Sequence, residues 1–175
     1  MEQMTEDSQT DTAIVRPMRE SDLDAVVRID AAASGRRRPR YFELMLQRAL
    51  HLAGLQVSLV AEVDGAIAGF LIGSLYYGEY GITEPSASIE AVAVAANRRR
   101  QRVAHALFHQ FRGNIGAIGV TRIRTEVDWD DFDLLHFFRS EGFAPAKRLC
   151  LEAEIDPAGD VRGATRVIGT AGGTP

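Results

Sequence analysis

The segment from Val57 to Leu75 restricts the fold of this chain more than any other. Val57, Leu59, Ala61 and Val63 alternate with their neighbours, Asp64-Gly65 follows, and an apolar run returns from Ala66 to Leu75. A period of two places alternate side chains on one face of a strand. Asp-Gly suits a two-residue hairpin turn, whose central residues need positive φ. The chain must therefore contain an antiparallel pair, and its other elements must cover the faces of that pair.

Those other elements are legible in outline. Ile14-Val15-Arg16-Pro17 reads as a short strand. Ser21 and Asp24 resemble a capping box, and Leu23, Val26, Val27 and Ile29 then repeat at helical spacing. The run Arg36-Arg37-Arg38-Pro39-Arg40 interrupts that helix. Tyr41, Leu44, Met45, Ala49 and Leu52 carry a second one to Gly54, with Tyr41 and Phe42 as its core side chains. Tyr76 to Pro85 reads as a loop, and Ser86 to Ala95 as a buried strand. Val103, Leu107, Phe108, Phe111 and Ile115 form the stripe of a third helix; Ile123, Thr125 and Val127 form another strand. Asp130 or Asp131 caps a helix bearing Leu134, Leu135, Phe137 and Phe138, which stops at Gly142. A last strand is expected from Arg148 to Ile155, with Cys150 as a small buried side chain. The order β-α-α-β-β-β-α-β-α-β argues for an α+β or mixed α/β fold with one hairpin and at least one right-handed crossover.

Composition limits the setting. A chain of 175 residues suits one domain with its own core. Residues 1–12 are polar, and residues 157–175 are rich in Gly, Thr and Ala, so both are read as disordered tails around a domain at 13–156. Twenty basic against 24 acidic residues give a net charge of −4, which argues against nucleic acid as a partner. One cysteine excludes an internal disulfide. No apolar run approaches the roughly 20 residues that span a bilayer, and the start lacks the features of a signal peptide. No membrane association and a cytoplasmic location are expected.

Chemistry concentrates where the strand ending at Ala95 meets the helix starting near Arg102. A strand, short loop and helix N-terminus direct free N–H groups and the helix dipole at one point, which favours an anion. Arg98, Arg99, Arg100 and Arg102 surround it. Upstream, Glu90 interrupts the apolar run Ile89-Glu90-Ala91-Val92. A carboxylate there is costly unless it faces a cleft or a partner. His105 and His109 are four apart on one helix, but Ala106 follows His105 where a metalloprotease has glutamate, so no metal is expected.

The window Arg99-Arg100-Gln101-Arg102-Val103-Ala104 resembles the Arg/Gln-x-x-Gly-x-Gly/Ala motif of the GNAT superfamily of N-acetyltransferases. The first and last positions fit; Arg102 stands at the middle glycine, and Arg100 replaces another common glycine. The early Ile-Val-Arg-Pro strand, the Asp64-Gly65 hairpin running into Ala68-Gly69-Phe70, and Glu141-Gly142-Phe143 extend the resemblance over about Ile14 to Glu154. It implies a mostly antiparallel central sheet flanked by helices, and acetyl-coenzyme A as co-substrate. It implies contacts to the cofactor from Val92, Ala93, Val94, Arg99, Arg100, Gln101, Arg102, Val103 and Ala104. Glu90 would be the general base for direct transfer to an amine in a ternary complex. Many members have a tyrosine as general acid where this chain has Phe138, so the thiolate would depart unassisted, or else Tyr76, Tyr77 or Tyr80 would substitute. The acceptor, a small-molecule or protein amine, is expected near Tyr77, Tyr80, Asp128 and Trp129, although the aspartates also suit a helix cap. The departures at Arg100, Arg102 and Phe138 keep open a non-catalytic module on the same fold. A homodimer is also left open.

Overall fold

A computed structural model describes residues 13–51, 57–77 and 83–154. Five strands, β1 (Ile14–Pro17), β2 (Leu59–Val63), β3 (Ala66–Tyr76), β4 (Ser86–Val94) and β5 (Ile123–Thr125), form one sheet in that order. The first four are antiparallel neighbours, and β5 joins β4 in parallel. The helices are α1 (Leu23–Ser34), α2 (Pro39–His51), α3 (Val103–Gly116) and α4 (Phe132–Ser140). The hairpin forms as its turn chemistry requires, with φ of 52° at Asp64 and 74° at Gly65. A parallel neighbour needs a crossover, and α3 supplies it between β4 and β5.

Both faces of the sheet are covered, which explains its apolar character. Val57, Leu59, Ala61 and Val63 share one face with Leu71, and the α3 stripe Val103, Leu107, Phe108, Phe111 and Ile115 packs on it. Val60, Phe70 and Ile72 face the other way, onto Val26, Val27 and Ile29 of α1 and Phe42 and Leu46 of α2. Gly73 permits the α3 packing. A Cβ there would lie 2.4 Å from a Phe111 ring carbon and 3.1 Å from the Val57 carbonyl.

Three sequence expectations change. Residues 148–154 form no strand, and Leu149 and Leu151 are 88% and 86% exposed. Alternation is a local signal, whereas a strand exists only with a partner ladder, and none of the described strands pairs with this segment. Cys150 is consequently exposed rather than buried. The start of α1 is organised by Asp22 instead of a Ser21–Asp24 box. Asp22 accepts the Arg19 N–H at 2.8 Å and two guanidinium contacts from Arg16 at 2.7 and 2.9 Å. Arg16 also donates to Glu62 at 2.7 Å, so one guanidinium ties β1 to β2 and to the start of α1. Leu52, Gly54 and Ile155 lie outside the described residues, as do both expected tails. Among the described residues, no helix is long and apolar enough to cross a membrane.

The Arg16 guanidinium holds the buried Asp22 carboxyl below the usual carboxylate range, against the opposing effect of burial. A lowered folded-state value stabilises the protein above the unfolded value, about 3.9, and that stabilisation is lost as pH falls. Urea unfolding between pH 7 and 3 therefore gives declining stability for the wild type. Asp22→Asn is less stable at pH 7 and its stability depends less steeply on acid; parallel curves for the two would contradict this account.

Candidate active site

Glu90 owes its placement to a bulge. In the β3–β4 ladder Ile72 opposes Ala91 and Gly73 opposes Ile89, so Glu90 has no partner on β3. One extra residue re-aims the side chains that follow it. Ala87 and Ile89 pack on the α3 side before the bulge, and Val92 and Val94 do so after it. Ala91 and Ala93 accordingly face α1 and α2. Glu90, next to Ile89, falls on that same α1–α2 side, as does Tyr76 by its register on β3.

Two tyrosines approach the carboxylate there. The Tyr76 hydroxyl donates to Glu90 Oε1 at 2.7 Å. Tyr41, on α2, is half-buried, and burial followed by the nearby Glu90 charge pushes its phenol up. It stays protonated at neutral pH. Arg38 lies over the Tyr41 ring at 5.0 Å and donates to the buried Asp30 at 2.6 and 3.1 Å. Phe42 is buried and Tyr41 packs against the same core, as expected, and Tyr41 also senses the Glu90 charge. Helical spacing alone could not show this, because the charge it senses lies 49 residues away.

The opening of the sheet lies beside Glu90. β4 has β3 along its whole length but β5 only at residues 87–89, where Thr125 Oγ1 donates to the Ile89 carbonyl at 3.0 Å. Ala95 N–H donates to Ala68 at 2.8 Å and so points toward β3. Strand alternation then points the Val92 and Val94 N–H groups to the side where β5 has ended. These are donors on a half-buried strand edge.

The loop that follows keeps a glycine's backbone without glycine. A 3-10 turn at Ala96–Arg98 leads to an extended Arg99; Arg100 and Arg102 then take φ of 64° and 60°, and α3 begins at Val103. Left-handed arginine carries a steric cost that glycine avoids. Arg102 occupies the N-cap and its side chain caps nothing, so the first N–H groups of α3 are not satisfied by a side-chain cap. Gln101 is exposed and Ala104 half-buried in this turn. Arg98 pairs with Asp64 of the hairpin turn at 2.5 Å. Arg99, Arg100 and Arg102 are exposed and have no ion pair among the described residues. Gly69 lets β3 approach closely here, since a Cβ would lie 3.0 Å from both the Ala93 carbonyl and Val103 Cγ1.

None of the remaining described candidates hydrogen-bonds to Glu90. Tyr77 is 69% exposed just past the end of β3, and Tyr80 lies outside the described residues. Asp128 is exposed and Trp129 is 84% exposed beyond β5; Asp131 caps α4 through the Leu134 N–H at 3.0 Å. Phe138 is buried, with its ring 4.9 Å from that of Phe143, and places no donor in the site. His105 is held by Glu141 at 2.7 Å, and no metal-holding cluster occurs among the described residues.

This architecture of a bulged sheet, a short parallel edge strand and an arginine-rich turn into α3 matches a known class. The acetyltransferase (GNAT) family matches residues 23–143, and the chain belongs to that family. Its fold is shared by aminoglycoside 6'-N-acetyltransferase AAC(6')-Ih from Acinetobacter baumannii, 19% identical, TM-score 0.69, covering 83% of this chain and 99% of that one. Aminoglycoside N-acetyltransferase AAC(6')-Iy, solved with CoA, is 16% identical with TM-score 0.69, covering 82% and 95%. Ard1 from Thermoplasma volcanium is 25% identical with TM-score 0.64, covering 75% and 82%. A comparison with curated protein sequences finds no match.

The left-handed backbone at Arg102 separates two substitutions. Arg102→Gly relieves the steric cost but loosens the unfolded chain, leaving stability within about 1 kcal/mol of wild type. Arg102→Val adds a β-branched side chain at positive φ and is expected to cost about 1–3 kcal/mol. Denaturant titration of both variants measures the gap; equal stabilities would mean that the turn is not left-handed in solution.

Proposed function

We propose that this chain transfers an acetyl group from acetyl-coenzyme A to a primary amine by direct attack in a ternary complex. The observation that carries the reading is the bulged Glu90 beside a strand edge with free N–H groups, next to an uncapped, arginine-rich helix start. The residues suit the cofactor. The first N–H groups of α3 at Val103 and Ala104, the turn at Arg100–Arg102 and the Arg99 guanidinium would hold the pyrophosphate. Val92, Ala93 and Val94 would lie along the pantetheine arm, with a Val92 or Val94 N–H polarising the thioester carbonyl. The cofactor, when bound, supplies an acetyl thioester.

The chain's own part is to manage protons and position. An alkylammonium with pKa about 10.4 must lose a proton before its nitrogen can attack, which costs roughly 4–5 kcal/mol at pH 7. Glu90 receives that proton directly or through a water. The amine nitrogen would then bond to the acetyl carbon as the C–S bond breaks, and its second proton passes to solvent to leave the neutral amide. Phe138 offers no proton, so the sulfur departs as thiolate, tolerable for a thiol of pKa near 8.5. Tyr77, Tyr80, Asp128 and Trp129 are offered as the outer wall of the acceptor site, where acidic and aromatic groups favour a cation.

Two measurements test the reading. Acetyl-coenzyme A at about 100 times its dissociation constant should stabilise the fold by roughly 2.7 kcal/mol, seen as a higher Tm, with ATP as control. No rise at millimolar ligand would favour the non-catalytic module. With sisomicin, spermidine and a peptide bearing N-terminal alanine as acceptors, Glu90→Gln should lower kcat about 10²–10⁴-fold and leave cofactor affinity unchanged. A parallel loss of both would remove Glu90 from the role of base.

A further inference from the structure

We propose that Tyr76 is the positioning residue for Glu90, fixing its carboxylate by the hydrogen bond from the phenol to Oε1. This rests on Glu90 acting as base. The bulge frees Glu90 from a partner on β3 and would leave its side chain several rotamers. The 2.7 Å bond selects one of them and engages Oε1. No other hydrogen bond to Glu90 occurs among the described residues, so Oε2 is the oxygen left to receive a proton. Among the described residues, Glu90 meets Tyr76 from β3 and acts on Tyr41 from α2, whose ring lies under Arg38, itself paired with Asp30. The phenol is therefore the donor that controls this carboxylate, and it is anchored to the same face through its position on β3.

A donor to a carboxylate favours the charged form, and its loss favours the protonated one. The test follows the ¹³C resonance of the Glu90 carboxyl against pH, assigned by its absence in Glu90→Gln. In Tyr76→Phe the titration midpoint is expected about one to two pH units higher than in wild type. Unchanged midpoints in a folded variant would overturn the proposal. Incorporation of 3-fluorotyrosine at position 76 makes a stronger donor and keeps the ring; it should move the midpoint to lower pH, and serves alone if Tyr76→Phe does not fold. Activity distinguishes the two ideas. A moved midpoint with a lower kcat and unchanged cofactor affinity supports positioning of a base. A moved midpoint with full activity in Glu90→Gln overturns the base, and with it the positioning role.

Discussion

One residue too many in β4 governs the geometry of this protein. A regular strand would alternate its side chains between the two helical layers from end to end. The unpaired Glu90 inverts that alternation, so Ile89 and Val92 both reach the α3 core while Glu90 and Ala91 turn toward α1 and α2. The same irregularity sits where the parallel ladder to β5 ends, after the pairing of Ile89 with Thr125. A carboxylate is thereby brought into the apolar stretch Ile89–Val92 of β4 at the point where backbone donors lose their neighbours, and the Tyr76 hydroxyl offsets part of the cost of placing it there.

Much of this was legible because it is encoded locally. Asp64-Gly65 specifies its turn through the φ angles of two adjacent residues. The stripe Val103, Leu107, Phe108, Phe111 and Ile115 specifies a buried helix face, and Asp131 caps α4 at its own helix start. Glu90 stood out as a charge in an apolar strand, whatever its role. What escaped is non-local. The small side chains Ala91 and Ala93 make the change of face invisible in the sequence. Tyr76 closes β3, where strand and loop look alike, and meets Glu90 only once β3 has paired with β4. The run Arg148-Leu149-Cys150-Leu151 has the period of a strand and no ladder to join.

The turn into α3 shows how a position suited to glycine tolerates arginine. Its entry is fixed by the ion pair of Arg98 with Asp64, and its exit by Val103, buried where Gly69 lets β3 come close. Between those anchors Arg100 and Arg102 hold left-handed φ that neither would choose in a free peptide. The surrounding packing sustains the conformation. Loss of glycine at these places is therefore not by itself loss of the turn.

The same turn also divides the charge of the molecule unevenly. The chain is acidic overall at −4, yet three arginines project together from residues 99–102, and Arg98 is already matched to Asp64. A local positive field on an acidic body orients an approaching polyanion before any contact forms. Encounter at this turn is thus quickest in dilute buffer and slows as salt shortens the reach of the field, about 10 Å at 0.1 M.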